Sequence, residues 1–198
     1  MNRTEIINRV IASRGFSSYL EIGVRDIQLN FAHIQCRTKV GVDIDPSVVG
    51  IEHHVSSDEY FKHEFPKFGC IFIDGDHSAE ASYRDIHGAL RHLLPGGVVV
   101  IHDCLPPSEW HQRALTDFQV NEAWNGQVWE SVLRIFETCS YLCRIVDCDF
   151  GCGFIDTAVR RPSRLLSLPL ELDYARDFSH LDHYKITPER FQQLFQVE

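Results

Sequence analysis

Two short apolar runs, each ending in acids and a histidine, constrain the fold of this sequence more than any other feature. The first run, Cys70 to Ile73, is followed by Asp74-Gly75-Asp76-His77, and the second, Val98 to Ile101, is followed by His102-Asp103. Continuous apolar runs of this length are typical of strands buried on both faces. The segment Ser78 to Leu94 between them has its apolar residues at helical spacing. The pattern predicts a strand, a helix and a second strand.

A strand–helix–strand unit of this kind makes its two strands parallel, with a right-handed crossover. Parallel strands end at the same edge of a sheet, and open α/β sheets bind their ligands at that carboxyl edge. Both acidic segments are therefore expected side by side, and we predict the active site there.

Composition narrows the classes of partner. The chain has 198 residues, a size that suits one domain, and a formal net charge of -9 with acids and bases interspersed. An acidic chain without a basic run has no electrostatic footprint for nucleic acid or an anionic membrane. No apolar run approaches the about 20 residues of a membrane span, and the N-terminus lacks the apolar core of a signal peptide. We expect a cytoplasmic protein without nucleic-acid or membrane partners, and a homo-oligomer stays open.

The remaining elements follow from periodicity and from turn residues. Ordered along the chain, the predicted elements are a helix at Thr4–Arg14, a strand at 18–23, an untidy helical stretch at 27–35, a strand at 39–46, a short strand ending at 55–56, a helix at 57–65, a helix at 127–139, strands at 141–147 and 153–159, and a helix from Thr187. The connection between the last two strands is so short that they must form an antiparallel hairpin. The fold class predicted is α/β: a doubly wound, mostly parallel seven-stranded sheet with a terminal antiparallel hairpin.

Five segments, in order, resemble the motifs of the class I S-adenosylmethionine-dependent methyltransferases. They are Tyr19-Leu20-Glu21-Ile22-Gly23, Val42 to Pro46, Ser57 to Phe61, Ile73 to His77 and Leu94 to Cys104. Within the class, the chain is similar to small O-methyltransferases whose fourth and fifth strands end in Asp-Gly-x-His and His-Asp. The resemblance covers residues 18–160, which leaves 161–198 as a C-terminal extension of one domain. It implies S-adenosylmethionine as cofactor and a hydroxyl of a small-molecule acceptor, such as a sugar or natural product.

The resemblance also implies roles for five residues in cofactor binding. Asp43 would accept hydrogen bonds from the ribose hydroxyls, although an acid there could equally cap the next turn. Gly23 would let the backbone approach the ligand. Glu21 would face the amino acid end of the cofactor, and Asp58 the adenine or ribose, unless Asp58 simply begins a helix. Asp74, in the fourth motif, completes the predicted cofactor set.

The first motif departs from the family pattern at two positions. Further glycines are usual two and four residues after Gly23, and this chain has Arg25 and Ile27 there. The turn must therefore be built differently. The G-x-G-x-x-G fingerprint of dinucleotide enzymes is also missing, which disfavours a nicotinamide enzyme. A non-catalytic binding module that lost the cofactor, or another nucleotide-dependent α/β enzyme, is the alternative reading.

The paired acids Asp74 and Asp103 are predicted at the ends of adjacent strands. Two carboxylates that close repel each other unless a cation or a shared proton lies between them. In related metal-dependent O-methyltransferases, acids at these positions hold a divalent cation, and oxygen ligands suit Mg2+. Other class I members work without metal, so both mechanisms stay open. Asp103 is counted as catalytic on either reading.

His77 and His102 are the candidate general bases, because imidazole titrates near neutral pH. Side chains alternate along a strand, so His102 and Asp103 can both face the pocket only if the strand ends before them. Trp110 and Trp124 follow in the region where the family builds its acceptor pocket, whereas Trp129 has the helical spacing of a core residue.

Four of the seven cysteines lie close together in sequence, at Cys139, Cys143, Cys148 and Cys152. Structural zinc sites usually have tighter C-x2-C spacings, and these four straddle the predicted hairpin. An odd total also argues against a complete disulfide framework. We expect reduced thiols without a bound metal.

Overall fold

Buried strands form the centre of one eight-stranded sheet in the computed structural model, which describes residues 1–63, 66–118, 122–164 and 167–197. The strand order is β3-β2-β1-β4-β5-β7-β6-β8. The strands are β1 (Ser18–Ile22), β2 (Thr38–Asp43), β3 (His53–His54), β4 (Phe68–Ile73), β5 (Leu93–Ile101), β6 (Tyr141–Val146), β7 (Cys152–Arg160) and β8 (Lys185–Ile186).

Strand directions match a doubly wound sheet that closes with a hairpin. The first five strands pair in parallel, and β7 runs antiparallel to both β5 and β6. The predicted fold class is therefore confirmed. The predicted count of seven strands is wrong by one, because Lys185 and Ile186 pair in parallel with the end of β6. A two-residue strand is too short to show alternation in a sequence.

Helices cover both faces of this sheet. They are α1 (Arg3–Arg14), α2 (Ser57–Tyr60), α3 (Ala79–Arg91), α4 (Val128–Thr138), α5 (Tyr174–Asp177) and α6 (Pro188–Leu194). On β4, Ile71 packs in the core that α3 and α4 cover, whereas Phe72 packs in the core beneath α1 and α6. Alternate residues thus enter opposite cores, which explains why the strand is apolar throughout. None of the described helices is long and apolar enough to cross a membrane.

Local signals account for most helix ends. Asn2 and Glu5 form a reciprocal capping box at the start of α1, and Gly15 ends that helix in the left-handed conformation. The side chain of Ser78 accepts the Ala81 N–H at the start of α3. Thr187 caps α6 with a proline at its first position, as predicted.

The structure corrects the predicted elements between β1 and β4. The stretch 27–35 contains only one turn of 3-10 helix, at Phe31–His33, and Asn30 before it has a non-helical backbone with a φ of −151°. The Asn30 side chain donates to buried Glu21. The third strand is His53–His54, earlier than predicted, and Ser56 rather than Ser57 caps α2. The helix predicted at 57–65 is too long, because α2 ends at Tyr60; residues 64 and 65 lie outside the described part of the chain.

Carboxyl ends of four neighbouring strands, β2, β1, β4 and β5, meet at one edge of the sheet. A cavity of about 820 Å³ opens there. That volume lies within the range of small-molecule sites, about 300–1,000 Å³. The division into a core at 18–160 and an extension stays a prediction, although β8 and α6 join the same layers.

Candidate active site

Most of the predicted site residues surround this cavity. The lining includes Gly23, Asp43, Asp58, Asp74, His77, His102 and Asp103. Glu21 lies behind the wall, 1% exposed. The topology therefore brings together residues that lie up to 80 positions apart in the sequence.

Two carboxylates and two imidazoles form a cluster at the ends of β4 and β5. His77 Nε2 lies 3.3 Å from Asp74 Oδ1 and 3.5 Å from Asp103 Oδ2. His102 Nδ1 lies 3.4 Å from Asp74 Oδ1 and 3.2 Å from Asp103 Oδ2. Each imidazole thus contacts both carboxylates. We call Asp74, His77, His102 and Asp103 the acid–imidazole cluster.

Backbone geometry explains how His102 and Asp103 both reach the cavity. Strand β5 ends at Ile101, and Asp103 has a φ of +59°. A non-glycine residue in this left-handed region is uncommon and turns the chain sharply. Because the strand ends before both residues, the alternation of side chains along a strand does not prevent His102 and Asp103 from facing the same cavity.

Arg3 and Asp149 extend the cluster, and sequence reasoning missed both. His102 Nε2 lies 3.5 Å from Asp149 Oδ2, and Arg3 Nη1 lies 3.0 Å from the same nitrogen. The backbone N–H of Arg3 donates to Asp149 Oδ2 at 2.8 Å. Residues at the start of α1 and in the β6–β7 turn have no sequence signal that could link them to β5.

Charge balance within the cluster requires no added ion. Burial alone would lower the pKa of His77 and His102, but the facing carboxylates outweigh it and raise the pKa of both imidazoles. Burial would likewise raise the pKa of Asp74, but hydrogen bonds from the two imidazoles hold it well below its usual range. When both imidazoles are protonated, their charges match those of Asp74 and Asp103, and Arg3, which can only donate, pairs with Asp149 rather than with the protonated Nε2 of His102.

The same groups could hold a divalent cation. Asp74, His102 and Asp103 each offer one ligand atom, and these atoms lie within 4.8 Å of one another. Two carboxylates suit Mg2+ or Mn2+, and an imidazole adds affinity for a transition metal. A metal ligand must be deprotonated, so a cation and the imidazole proton compete for this site. The residues present fit a cation at pH values where His102 is neutral.

The turn after β1 keeps a glycine-like backbone without the usual glycines. Gly23 has a φ of +83°, and a Cβ there would clash with the Asp74 carbonyl. Arg25, where the family has its second glycine, has a φ of +54°. Its N–H donates to Asp43 Oδ2 at 2.7 Å, and the Asp45 N–H donates to Asp43 Oδ1 at 2.8 Å. Asp43 thus fixes the turn, and each oxygen retains a lone pair for a further donor.

Glu21 and Asp58 differ in their surroundings. Glu21 Oε2 accepts from the Tyr19 hydroxyl at 2.6 Å and from Asn30 Nδ2 at 3.0 Å. Burial raises the pKa of Glu21 to about 7, despite those bonds. Asp58, which lines the cavity, is half exposed and accepts from Arg84 Nε at 2.9 Å. Their predicted roles toward the cofactor remain predictions.

Comparison with known proteins agrees with this geometry. Residues 44–104 match the family model described as a methyltransferase domain, and this range contains the whole acid–imidazole cluster. Over this range the chain is similar to a methyltransferase domain. The resemblance to class I methyltransferases that the sequence predicts is confirmed by this match together with the sheet order.

Solved structures with the same fold include three O-methyltransferases. The Bacillus cereus enzyme in complex with S-adenosylhomocysteine is 13% identical with a TM-score of 0.57, over 79% of this chain and 82% of that chain. TomG of Streptomyces achromogenes, in complex with S-adenosylmethionine, is 15% identical with a TM-score of 0.54, over 79% of each chain. A putative caffeoyl-CoA O-methyltransferase from Staphylococcus aureus is 16% identical with a TM-score of 0.56, over 79% of this chain and 84% of that one. At such low sequence identities, these TM-scores establish the shared fold alone.

One wall of the cavity is formed by the segment after β5. Trp124 stacks on the His77 ring, with centroids 4.9 Å apart and planes 18° apart, and Asn125 Nδ2 donates to Asp103 Oδ1 at 2.7 Å. Trp129 is fully buried, as predicted for a core residue, and Trp110 is 55% exposed. Trp124 and Asn125 therefore hold His77 and Asp103 in place, a role that the sequence did not reveal for Asn125.

The mouth of the cavity is apolar, in contrast to its charged floor. Its lining includes the partly exposed side chains of Leu29, Ile44, Leu115, Phe118 and Phe150. A cluster of exposed apolar residues around a cavity usually marks a binding surface.

The charge of Asp149 can be tested through the pH dependence of stability. The protonated form of His102 contributes stability that is fully present below the unfolded pKa of about 6.5 and is lost as pH rises through its raised folded pKa. With EDTA present, Asp149→Asn should lower the free energy of unfolding by about 1.5–3 kcal/mol at pH 6 and by less at pH 9. Asparagine still accepts the Arg3 N–H, so the change removes mainly the charge.

Urea unfolding at the two pH values provides the measurement. Asp147→Asn is the matched control, since Asp147 is exposed on the same turn. It should change stability little and equally at both pH values. Equal losses for Asp149→Asn at pH 6 and pH 9 would contradict the ion pair with His102.

Proposed function

We propose that this methyltransferase binds S-adenosylmethionine in the cavity and transfers its methyl group to a hydroxyl oxygen of a small-molecule acceptor. The observation that carries the proposal is that the acid–imidazole cluster and the turn at Gly23 and Asp43 line one cavity. One group of residues suits a nucleoside, and the other suits removal of a proton from an acceptor. The cofactors named in the solved relatives, in complex with S-adenosylmethionine or S-adenosylhomocysteine, support the same choice.

Adenosine would lie toward Asp43 and Asp58, and the methionine part toward Gly23, Asn30 and Arg3. The free lone pairs of the Asp43 carboxylate can accept two ribose hydroxyls while its bonds to the turn persist. Gly23 lets the turn pack against the Asp74 backbone, where a Cβ would clash, and thereby shapes this end of the cavity. The cationic Arg3, which also lines the cavity, suits the cofactor carboxylate.

Methyl transfer would be an in-line displacement at the methyl carbon, in which the bond to the acceptor oxygen forms as the carbon–sulfur bond breaks and the positive sulfonium becomes a neutral thioether. Alignment and a deprotonated acceptor oxygen therefore matter more than stabilisation of the leaving group. In this proposal His77 accepts the acceptor proton at Nε2, while Asp103 and Asp74 hold the resulting imidazolium. Because the facing carboxylates raise the pKa of His77, it acts as a base only at pH values above that raised pKa, where it has lost its own proton.

A divalent cation held by Asp74 and Asp103, with His102 beside them, would lower the pKa of the acceptor hydroxyl and orient it. The residues present fit such an ion, as described above. His102 would serve as the second base on a metal-free mechanism, although Arg3 and Asp149 occupy its other nitrogen.

Two buried polar atoms near the cluster support an acceptor site beside it. Within the described part of the chain, His77 Nδ1 and Asn125 Oδ1 have no hydrogen-bond partner, although both residues line the cavity. Buried polar atoms are normally paired, so a ligand or water is expected to bond to them. With the apolar mouth, these atoms favour a natural product that has an apolar body and one hydroxyl over a simple sugar.

The alternative of a module that no longer binds cofactor depended on the missing glycines. Arg25 keeps the left-handed backbone that glycine would supply, since Asp43 anchors its N–H. The missing glycines therefore do not prevent the turn that cofactor binding requires. Cytoplasmic location, the lack of nucleic-acid and membrane partners, and homo-oligomerisation stay predictions.

Removing the Asp43 carboxylate should weaken cofactor binding. Loss of charged hydrogen bonds to the ribose costs about 1.5–3 kcal/mol, so Asp43→Ala should raise the Kd for S-adenosylhomocysteine roughly 10- to 150-fold in calorimetric titration. Asp43→Asn keeps an oxygen that can accept the Arg25 N–H but removes the negative charge. Comparing the two variants therefore separates the effect of losing the turn from the effect of losing the charge.

Asp45→Ala is the matched control for Asp43→Ala. The Asp45 carboxylate is exposed and accepts from the Ser47 N–H, so affinity should change little. Unfolding curves establish that each variant is folded. Unchanged affinity in folded Asp43→Ala would remove Asp43 from the cofactor site.

Addition of Mg2+ or Mn2+ tests the cation site. A bound cation stabilises the native state by mass action, and proton competition at His102 should make the rise in Tm larger at pH 8 than at pH 6. Asp74→Asn should abolish most of the rise while S-adenosylhomocysteine binding stays nearly intact. Asp76 is an exposed neighbour whose carboxylate accepts the Ser78 N–H, and Asp76→Asn should keep the rise in Tm. If neither ion changes the Tm at either pH, even with cofactor bound, the cation site is contradicted and the metal-free mechanism is favoured.

A further inference from the structure

The turn after β1 has two residues where the family pattern has glycines, and the structure accounts for them differently. Ile27 is partly buried and packs against the core beneath α1 and α6. Arg25 is exposed and lines the cavity. Core packing therefore explains Ile27, whereas the Arg25 side chain has no comparable role in the fold.

The backbone at Arg25 is strained. Its φ is +54°, and the Asp26 N–H donates to the Val24 carbonyl oxygen at 2.5 Å, which closes a three-residue turn centred on Arg25. A turn of this kind with a positive φ at its centre is rare and strained. Glycine would adopt the same backbone without steric cost. An arginine in this conformation indicates a function for its side chain, because strained residues cluster at ligand sites.

The other arginines around the cavity already have acidic partners. The arginines that line it are Arg3, Arg25 and Arg84. Arg84 Nε donates to Asp58 Oδ1 at 2.9 Å, and Arg3 Nη1 lies 3.9 Å from Asp149 Oδ2. Within the described part of the chain, the guanidinium of Arg25 forms neither an ion pair nor a hydrogen bond, since the contact of this residue to an acid is made by its backbone N–H. Arg25 thus brings an unpaired positive charge to the cavity.

We propose that Arg25 is a cofactor-binding residue whose guanidinium pairs with the carboxylate of S-adenosylmethionine. Because this role presupposes S-adenosylmethionine in the cavity, it rests on the proposed function. A carboxylate that binds Arg25 leaves the contacts of Arg3 to Asp149 and His102 intact.

Position and chemistry both favour the carboxylate as the partner. Arg25 lies between Gly23 and Asn30, which line the cavity where the methionine part of the cofactor would lie. The carboxylate is the anionic group of S-adenosylmethionine, and it belongs to that part. A planar guanidinium presents parallel N–H donors that match the two oxygens of a carboxylate.

Asp43 links this role to ribose binding. The Arg25 N–H donates to Asp43 Oδ2 at 2.7 Å, so this contact fixes the backbone from which the guanidinium extends. Asp43 would bind the ribose while Arg25 binds the carboxylate, and a single turn would hold both parts of the cofactor. A glycine in place of Arg25 retains the N–H and adopts the same backbone, so Arg25→Gly removes only the side chain.

Calorimetric titration with two ligands tests the charge pair. The ligands are S-adenosylhomocysteine, which keeps the carboxylate, and decarboxylated S-adenosylhomocysteine, which lacks only that group. Loss of a charged hydrogen bond should raise the Kd of Arg25→Gly for S-adenosylhomocysteine about 10-fold, while its Kd for the decarboxylated ligand stays that of the wild type. Arg25→Asn should show the same selective loss, since asparagine also tolerates a positive φ.

Arg37→Asn is the matched control for Arg25→Asn. Arg37 is exposed and does not line the cavity, so the same loss of charge there should leave both affinities unchanged. Melting curves separate binding from stability. The Tm of Arg25→Gly should equal or exceed that of the wild type, because glycine relieves the strained turn.

Three results would overturn the proposal. They are an unchanged Kd of Arg25→Gly for S-adenosylhomocysteine, which would leave Arg25 free for an acidic acceptor, an equal weakening for both ligands, and a marked fall in the Tm. Each leaves the proposed function intact, because the wild type still binds S-adenosylhomocysteine. A wild type that binds neither ligand would instead contradict the proposed function and the role of Arg25 together.

Discussion

The contact between two strand-end carboxylates and two imidazoles is the interaction on which the site depends. Asp74 and Asp103 cannot move apart, because each follows a strand that is buried on both faces. His77 and His102 each contact both acids, so protonated imidazoles can offset the repulsion between the two carboxylates, as a metal ion would. Protons and a cation thus compete for one place, and this competition links the pH dependence of the cluster to its metal chemistry.

Backbone strain is concentrated around the same site. In the part of the chain that the structure describes, the non-glycine residues with positive φ are Arg25, Asp103, Asp149 and Phe150. Three of them line the cavity, and Asp149 contacts His102. Such conformations persist only where surrounding contacts fix them, and at Arg25 the fixing contact is the Asp43 carboxylate. The residue predicted to bind ribose therefore also builds the turn that the missing glycines would have built.

The sequence predicted what local patterns encode. Continuous apolar runs identified β4 and β5, and their acidic ends predicted which side chains would gather at the carboxyl edge. It could not predict Arg3 or Asp149, because only tertiary packing brings α1 and the β6–β7 turn to His102. The helix expected at 27–35 is absent because the backbone at Asn30 is not helical, and periodicity gives no signal of that residue's tertiary contact to buried Glu21. Strand β8 was too short to carry a pattern.

A crystal structure of the protein with S-adenosylhomocysteine tests the central claim most directly. The account predicts that the ribose hydroxyls bond to Asp43 and that the sulfur faces the acid–imidazole cluster, with room for one acceptor oxygen between the sulfur and His77. A cofactor bound with its sulfur turned away from Asp74, His77 and Asp103 would contradict the account, since no methyl group could then reach an acceptor beside the cluster.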